Sequence, residues 1–445
     1  MKTSVRRRRR GPRYTGVLLV SLMVAMIGLA SLQIARITLR EADEVSSVAS
    51  AQLLARSAVE YAVLQVRNNP QWRTTFQHNV PYPTSGPITL GNGKFSFRLL
   101  DSDGNLADDE SDAVRVLGVA TIGEATWAES VLLLPTGSAV SSLNCSICSG
   151  GNLALASGAC VESNQRVAAA GQVSVSGSQA LLAAKYIDSG MSISGNAAGL
   201  RTAPAAVRKM PSDTCFEYYL ARGAYIEIEK LPTSSGAKRM GEVVLGPGIN
   251  PYGVANPEGI YILDCKNTRV TLADLRVVGT LVLLDPGPNS SLTGRVSLEP
   301  AISNYPALLV RGNFQFAYQS DDFLRESNEG TNFNPNGAPA RGVTDPDLND
   351  NYPSMIRGLV YVTGTLHAPA DGKTSVSDGV LLAGSMLFES SHRVRFSPLF
   401  AASPPPGFAQ GNPMVIAPGT WRRETTLPSG GGMSGETASL PPPGL

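Results

Sequence analysis

The chain has 445 residues, with 37 Lys and Arg against 36 Asp and Glu, 42% apolar residues and 16% charged ones. That apolar share supports a packed core and excludes a wholly disordered chain, a collagen, a coiled-coil rod and a polytopic membrane protein. The near-zero net charge gives no reason to expect a nucleic-acid partner, and three His residues argue against a His-rich metal site or a His-based enzyme.

The charge is unevenly placed. Lys2, Arg6, Arg7, Arg8, Arg9, Arg10, Arg13, Arg36 and Arg40 all precede the first acid, Glu41, so the remainder carries 28 bases against 36 acids. Val17 to Ala35 follows as 19 residues without a charge. As a helix this run is ~28 Å long, close to the ~30 Å hydrocarbon core of a bilayer. Basic residues ahead of it predict a cytoplasmic N-terminus and a single pass through a bacterial inner membrane, with the bulk of the chain periplasmic or extracellular. Read alone, the arginines would suggest a nuclear signal or a nucleic-acid patch; directly before an apolar span, topology accounts for them. A cleaved signal peptide is the stronger rival, with small residues at Gly28, Ala30 and Ser31. The apolar run exceeds the usual ~7–15-residue core of such a peptide, which favours an uncleaved anchor.

The helical pattern continues beyond the lipid span. Val45, Val48, Ala49, Gln52, Leu53, Val59, Ala62, Val63 and Val66 recur mostly at spacings of three and four, and Asn68-Asn69-Pro70 is a stop signal. One helix of about 52 residues and ~78 Å is expected over Val17–Asn68, with an apolar face to be covered by a domain or by neighbouring subunits.

From Lys94 the period changes to two. Phe95, Phe97 and Leu99 alternate with polar residues, and Ala113–Val119 and Ala125–Leu134 repeat the pattern. This predicts a three-stranded antiparallel meander packed on the helix. Residues 137–236 are rich in Gly, Ser and Ala. Over 237–400 short apolar strands flank a glycine, at Gly279, Gly312, Gly364 and Gly384, with separations of 33, 52 and 20. The form suits a parallel β-solenoid, whose coils share one core and turn at glycines, interrupted by insertions of which Asp321–Pro353 is the largest. An antiparallel sandwich is the alternative. The Pro- and Gly-rich tail over 401–445 predicts little packed structure. The expected organisation is a basic leader (1–16), a transmembrane helix (17–35), an amphipathic helix (36–69), a meander (70–136), a Gly/Ser/Ala-rich segment (137–236), the solenoid-like body and the tail: an α+β chain.

The basic leader, the long uncharged helix and its alanine-rich extension resemble the N-termini of pilin-like proteins, PilX-type minor pilins and related assembly proteins above all. Arg56-Ser57-Ala58-Val59-Glu60-Tyr61-Ala62-Val63-Leu64 and Pro70-Gln71-Trp72-Arg73 carry the likeness, which spans about residues 6–73. Major pilins resemble one another in a Gly followed by an apolar helix with Glu at its fifth position. Here Gly16-Val17 fits peptidase processing better than Gly11-Pro12, and the fifth position is Ser21. The resemblance implies a structural part in a type IV pilus or type II secretion-like machine, with a tip, priming or anchored role, and partners among pilus or secretion subunits.

Candidate chemistry is sparse. Asp101, Asp103, Asn105, Asp108 and Asp112, with Asp109 and Glu110 between, space oxygen ligands as Ca²⁺ sites do, although Gly104 stands fourth rather than sixth and Asp103-Gly104 is also a hairpin-turn signal. Apart from Ca²⁺ there, no cofactor is expected. Cys145, Cys148 and Cys160, with Cys215 and Cys265, lack a second C-x-x-C for zinc and outside the cytoplasm predict disulfides, a Cys145–Cys160 or Cys148–Cys160 staple among them. His78, His367 and His392 stand apart from one another, and Ser385 lacks a nucleophile motif. No enzyme is expected; the alternative function is an anchored solenoid that binds or cleaves cell-surface polysaccharide, with Asp345, Asp347, Asn349 and Asp350 of the long insertion as its polar groups.

Overall fold

The computed structural model describes residues 12–370, 373–427 and 438–439. Arg6–Arg10, Gly430–Gly432 and Pro441–Pro443 lie outside the described residues. Helix α1 runs unbroken over Pro12–Asn68. Pro12 is tolerated in its first turn, no Gly or Pro follows Gly28 until Pro70, and that proline bars the α conformation at Asn69. A single turn, α2 (Trp72–Thr75), follows.

Four strands come next: β1 (Ile88–Leu90), β2 (Gly93–Leu100), β3 (Val114–Ile122) and β4 (Ala125–Pro135). β2, β3 and β4 pair antiparallel in sequence order, as the alternation predicts, and β1, which was not expected, adds a fourth strand beside β2. Val131 and Leu133 of β4 face Val59, Val63 and Val66 of α1, whereas Leu132 and Leu134 face the rest of the chain. The sheet is thus the middle layer between helix and body.

The buried face of α1 is turned from the expected one. Ala51, Leu54, Ala55 and Ala58 are inside with the expected Val59, Ala62, Val63 and Val66, while Val45 and Leu53 stay 67% and 69% exposed. The small alanines let the helix axis approach the sheet, and Gly93 and Gly118 leave room for it. Hydrophobicity alone selects Leu53 over Ala55; close packing selects the reverse.

In the body, Ala224–Ile226, Ile260–Asp264, Thr280–Leu284, Pro306–Arg311, Met355–Ala368, Thr374–Phe388, Ile147–Ser149, Arg166–Ala169 and Leu181–Ser189 pair in parallel, each with the next. One register row reads Ile262, Val282, Leu309, Tyr361, Leu382, Cys148, Ala168. These side chains pack outward with Phe216, Tyr219, Phe400, Phe408 and Leu132. Their neighbours Leu263, Leu283, Val310, Val362 and Ala383 point into the body's own core. A strand buried on both faces is a continuous apolar run, which is why Thr280–Leu284 does not alternate. An antiparallel sandwich does not describe these ladders.

The threading was not expected. The chain enters mid-stack, beside Thr374–Phe388, and runs to Ala197–Thr202 at one end. It then crosses to Ala224–Ile226 and stacks back until Ser391–Phe396 meets Cys160–Ser163. Residues 147–202 and 260–396 therefore share ladders. The glycines also divide into two kinds. Gly312 has a left-handed φ of +132°, as a tight corner requires. Gly384 needs no such φ; a Cβ there would lie 2.2 Å from the Thr363 carbonyl oxygen of the neighbouring rung.

The tail departs most from expectation. Met414–Ile416 and Arg422–Arg423 pair with β4, Ala409–Gln410 pairs with Ser138–Ala139, and Phe408, Met414, Ala417 and Thr420 are buried. Proline-rich composition hid a segment that closes the edge of the middle sheet.

His392 sits in the core of the body against the rings of Phe316, Tyr318 and Phe388, with Nε2 3.2 Å from Ser377 Oγ. Burial pushes its pKa down to about 4. The folded chain therefore binds fewer protons than the unfolded chain between pH ~4 and ~6.5, so this stability is present above pH 6.5 and lost as pH falls toward 4. His392→Phe is expected to flatten that limb of a melting-temperature profile, worth up to about 3 kcal/mol. Parallel acid limbs in the two proteins would refute it.

Candidate metal centre and membrane anchor

The segment between β2 and β3 is held from several sides. The Asp101 backbone N–H donates to His78 Nδ1 at 3.0 Å. Arg73 donates to the Leu106 and Asp112 carbonyls at 3.2 and 2.8 Å. Thr214 of the body accepts from the Ala113 N–H at 2.9 Å and donates to Asp112 Oδ1 at 3.3 Å. Lys209 Nζ lies 2.6 Å from Asp109 Oδ1. The Gly411 N–H of the tail donates to the Glu110 carbonyl at 3.0 Å.

Within this frame, one carboxylate oxygen each from Asp101, Asp103, Asp108 and Asp112 lies within 4.8 Å of all the others. Asp101 and Asp112 are only 5% and 3% exposed, while Asp103 and Asp108 face solvent. Both Asp101 carboxylate oxygens and Asp112 Oδ2 are buried without a hydrogen-bond partner. Burial, then the charges of Asp112 and Asp103, raises the Asp101 pKa to about 7, with the Ser102 amide and Arg73 pulling the other way. Burial raises that of Asp112 too. The structure thus gathers four of the five expected ligands. Asn105 is exposed, and its Oδ1 accepts from the Ala107 N–H at 3.3 Å. Sequence reading missed Arg73, Lys209 and Thr214, which hold the segment. No local pattern marks them, since Thr214 is 102 residues from Asp112.

The candidate anchor is simpler. Among the described residues one helix is long and apolar enough to cross a membrane, and Val17 to Leu39 expose their side chains all round. Ser21, Ser31 and Thr38 donate to the carbonyls of Val17, Ile27 and Ile34 at 2.9, 2.8 and 3.1 Å. Their hydroxyls are satisfied within the helix, which is compatible with a lipid setting. Gly16 and Val17 both lie inside α1, and Ala35 ends the uncharged run.

The remaining expected residues are placed as follows. All five cysteines are free. The Cys148 thiol donates to Cys145 and holds it below the ordinary thiol range, helped by Arg208 and Arg166. Both are buried on the outer face of the long ladder, whereas Cys160 stands on another ladder with Sγ toward Glu162. His78 serves Asp101, His367 lies 2.9 Å from Glu389, and Thr365 Oγ1 is 2.8 Å from Ser385 Oγ. In the long insertion, Asn334 Nδ2 donates to Asp345 and Asp350, and buried Glu326 accepts from Phe333 N, Asp350 N and Tyr352 Oη. Those carboxylates hold the insertion to itself.

No family model and no curated protein matches the chain. Among solved structures it is similar to the crystal structure of the competence-associated pilin ComZ from Thermus thermophilus, at a TM-score of 0.29 and 11% identity, over 85% of this chain and 97% of that one. The likeness is too slight to define the fold. What stands on its own is a long N-terminal apolar helix that carries a strand-rich body.

Proposed function

We propose that the chain is a membrane-anchored structural subunit or assembly factor of a type IV pilus or type II secretion-like machine, with a body wound as a β-solenoid. One observation carries the reading: α1 is unbroken, bare over its apolar first part and fastened by Ala51–Val66 to its own sheet. Lateral packing in lipid uses Gly28, Ser31 and Ala35, small residues that allow helices to approach closely. Exposed Val45 and Leu53 continue the contact beyond the membrane. The row of parallel rungs supports the solenoid, because each rung buries its inward side chains only against the next.

The test places a photo-crosslinking residue at Val45 or Leu53 in cells that carry the chain. Adducts with pilus or secretion subunits are expected. An unprocessed, freely soluble chain, or adducts with lipid alone, would overturn the reading. A charge at the centre of the span makes a second check. Met26→Asp costs about 2.5–3.5 kcal/mol of insertion and is expected to move much of the protein out of the membrane fraction. Unchanged membrane recovery would count against the anchor.

A further inference from the structure

We propose that Asp101, Asp103, Asp108 and Asp112 bind one calcium ion, and that the ion locks the joint where helix end, middle sheet, body and tail meet. The oxygen spacing fits. Ligands on opposite sides of Ca²⁺, each at about 2.3–2.6 Å, stand about 4.6–5.2 Å apart. The four oxygens here lie within 4.8 Å of one another. Mg²⁺ asks for shorter bonds of about 2.0–2.1 Å in a strict octahedron, and an all-oxygen set disfavours softer metals.

The second observation is the orphaned charge. Asp101 is 95% buried by its 5% exposure, points an oxygen into the cluster, and neither oxygen has a hydrogen-bond partner. Buried carboxylates are stable only when paired, hydrogen-bonded or coordinating a metal. No nearby cation bonds to it. The Arg73 guanidinium, whose charge acts on Asp101, gives its Nη donors to the backbone carbonyls of Leu106 and Asp112 and leaves Nε without a partner, and Lys209 pairs with Asp109. A plain solvated turn would turn its acids outward, as Asp103 and Asp108 do, and would leave Asp101 and Asp112 exposed as well.

The position gives the ion its task. Asp112 is bonded to Thr214 of the body, Asp109 to Lys209, the Leu106 carbonyl to Arg73 after the helix, and the Glu110 carbonyl to Gly411 of the tail. An ion that gathers both ends of the segment fixes these four attachments together.

Full-length protein in detergent, stripped with chelator, is titrated with CaCl₂ by calorimetry and with Tb³⁺ by luminescence. Saturable binding of one ion is expected, with a higher melting temperature in Ca²⁺ than in equal Mg²⁺ and slower proteolysis between residues 102 and 110. Asp103→Asn and Asp108→Asn alter exposed ligands and leave the fold intact by circular dichroism; each is expected to weaken binding at least tenfold. The proposal is overturned by an absence of heat and luminescence up to about 10 mM metal, well beyond the weak extracellular sites. It is equally overturned by binding that both variants leave unchanged, or by variants that are more stable than the parent whether or not Ca²⁺ is present. None of these outcomes depends on the pilus or secretion reading.

Discussion

Gly118→Val is expected to lift α1 from the sheet and cost the protein about 3 kcal/mol or more. A Cβ at Gly118 would lie 2.4 Å from the Ala55 carbonyl oxygen and 2.8 Å from Val59 Cγ2. The first neighbour is helix backbone and has no rotamer to give. Relief requires the helix to shift, which opens gaps along Ala51, Ala58 and Ala62, whose small side chains bridge no added distance. Gly118→Ala meets the same carbonyl and is expected to destabilise despite the ~0.4–1 kcal/mol that glycine replacement returns through the unfolded chain. Val59→Ala removes only the second contact and is expected not to rescue either variant. Chemical denaturation of the full chain in detergent measures all of these, while membrane recovery stays at the parental level because the apolar span is untouched. A Gly118→Val protein with the parental midpoint would show that helix and sheet are not in this contact.

The contrast between Gly118 and Leu53 shows what the sequence makes legible. The helix, its end at Pro70 and the three alternating strands of the meander follow from local signals: charge-free length, proline, and a period of two. The inward face of α1 does not, because a face of alanines is set by how close the sheet can come, and Gly118 lies 63 residues from Ala55. The body's strands around Gly279, Gly312, Gly364 and Gly384 are legible as apolar runs about a glycine, whereas Ile147–Ser149, Arg166–Ala169 and Leu181–Ser189 lie in a Gly/Ser/Ala-rich stretch whose pattern is too weak to mark them. The order of the strands in the stack was not legible, since nothing in Ile147–Ser149 marks Leu381–Ala383 as its neighbour. The acidic segment was legible as a group of oxygen donors through its spacing. That Asp101 and Asp112 are buried and Asn105 is not depends on Arg73 and Thr214, which local reading does not reach. For the tail, composition misled: prolines argue against regular ladders, yet a few residues between them suffice to close an edge.

That closure sets the second large effect. Phe408→Ala is expected to cost about 3–5 kcal/mol, the range for emptying a buried phenylalanine site. Its ring is fully buried, edge-on to Tyr361 with centroids 6.1 Å apart, among residues from the sheet and the body's outer face. Its carbonyl accepts from the Val140 N–H at 3.1 Å. Val415→Ala on the same tail is expected to cost far less, about 1 kcal/mol or below, because Val415 already leaves 39% of its surface in solvent. Cutting the chain before Phe408 removes more than the ring. Trp72 Nε1 loses the Asn412 carbonyl at 3.1 Å, the Leu132 carbonyl loses the Ala417 N–H at 2.8 Å, and the outer side of β4 is left without Met414–Ile416. An unpaired strand edge invites pairing with another chain. The truncated protein is therefore expected to melt well below the Phe408→Ala variant and to aggregate as it does so, seen by scanning calorimetry with light scattering. If instead the truncated chain melts with the parent, the tail does not close the sheet. The joint between helix, sheet and body would then rest on the Arg73, Lys209 and Thr214 contacts, the Arg115–Glu217 pair and the packing of Leu132 and Leu134 on the body.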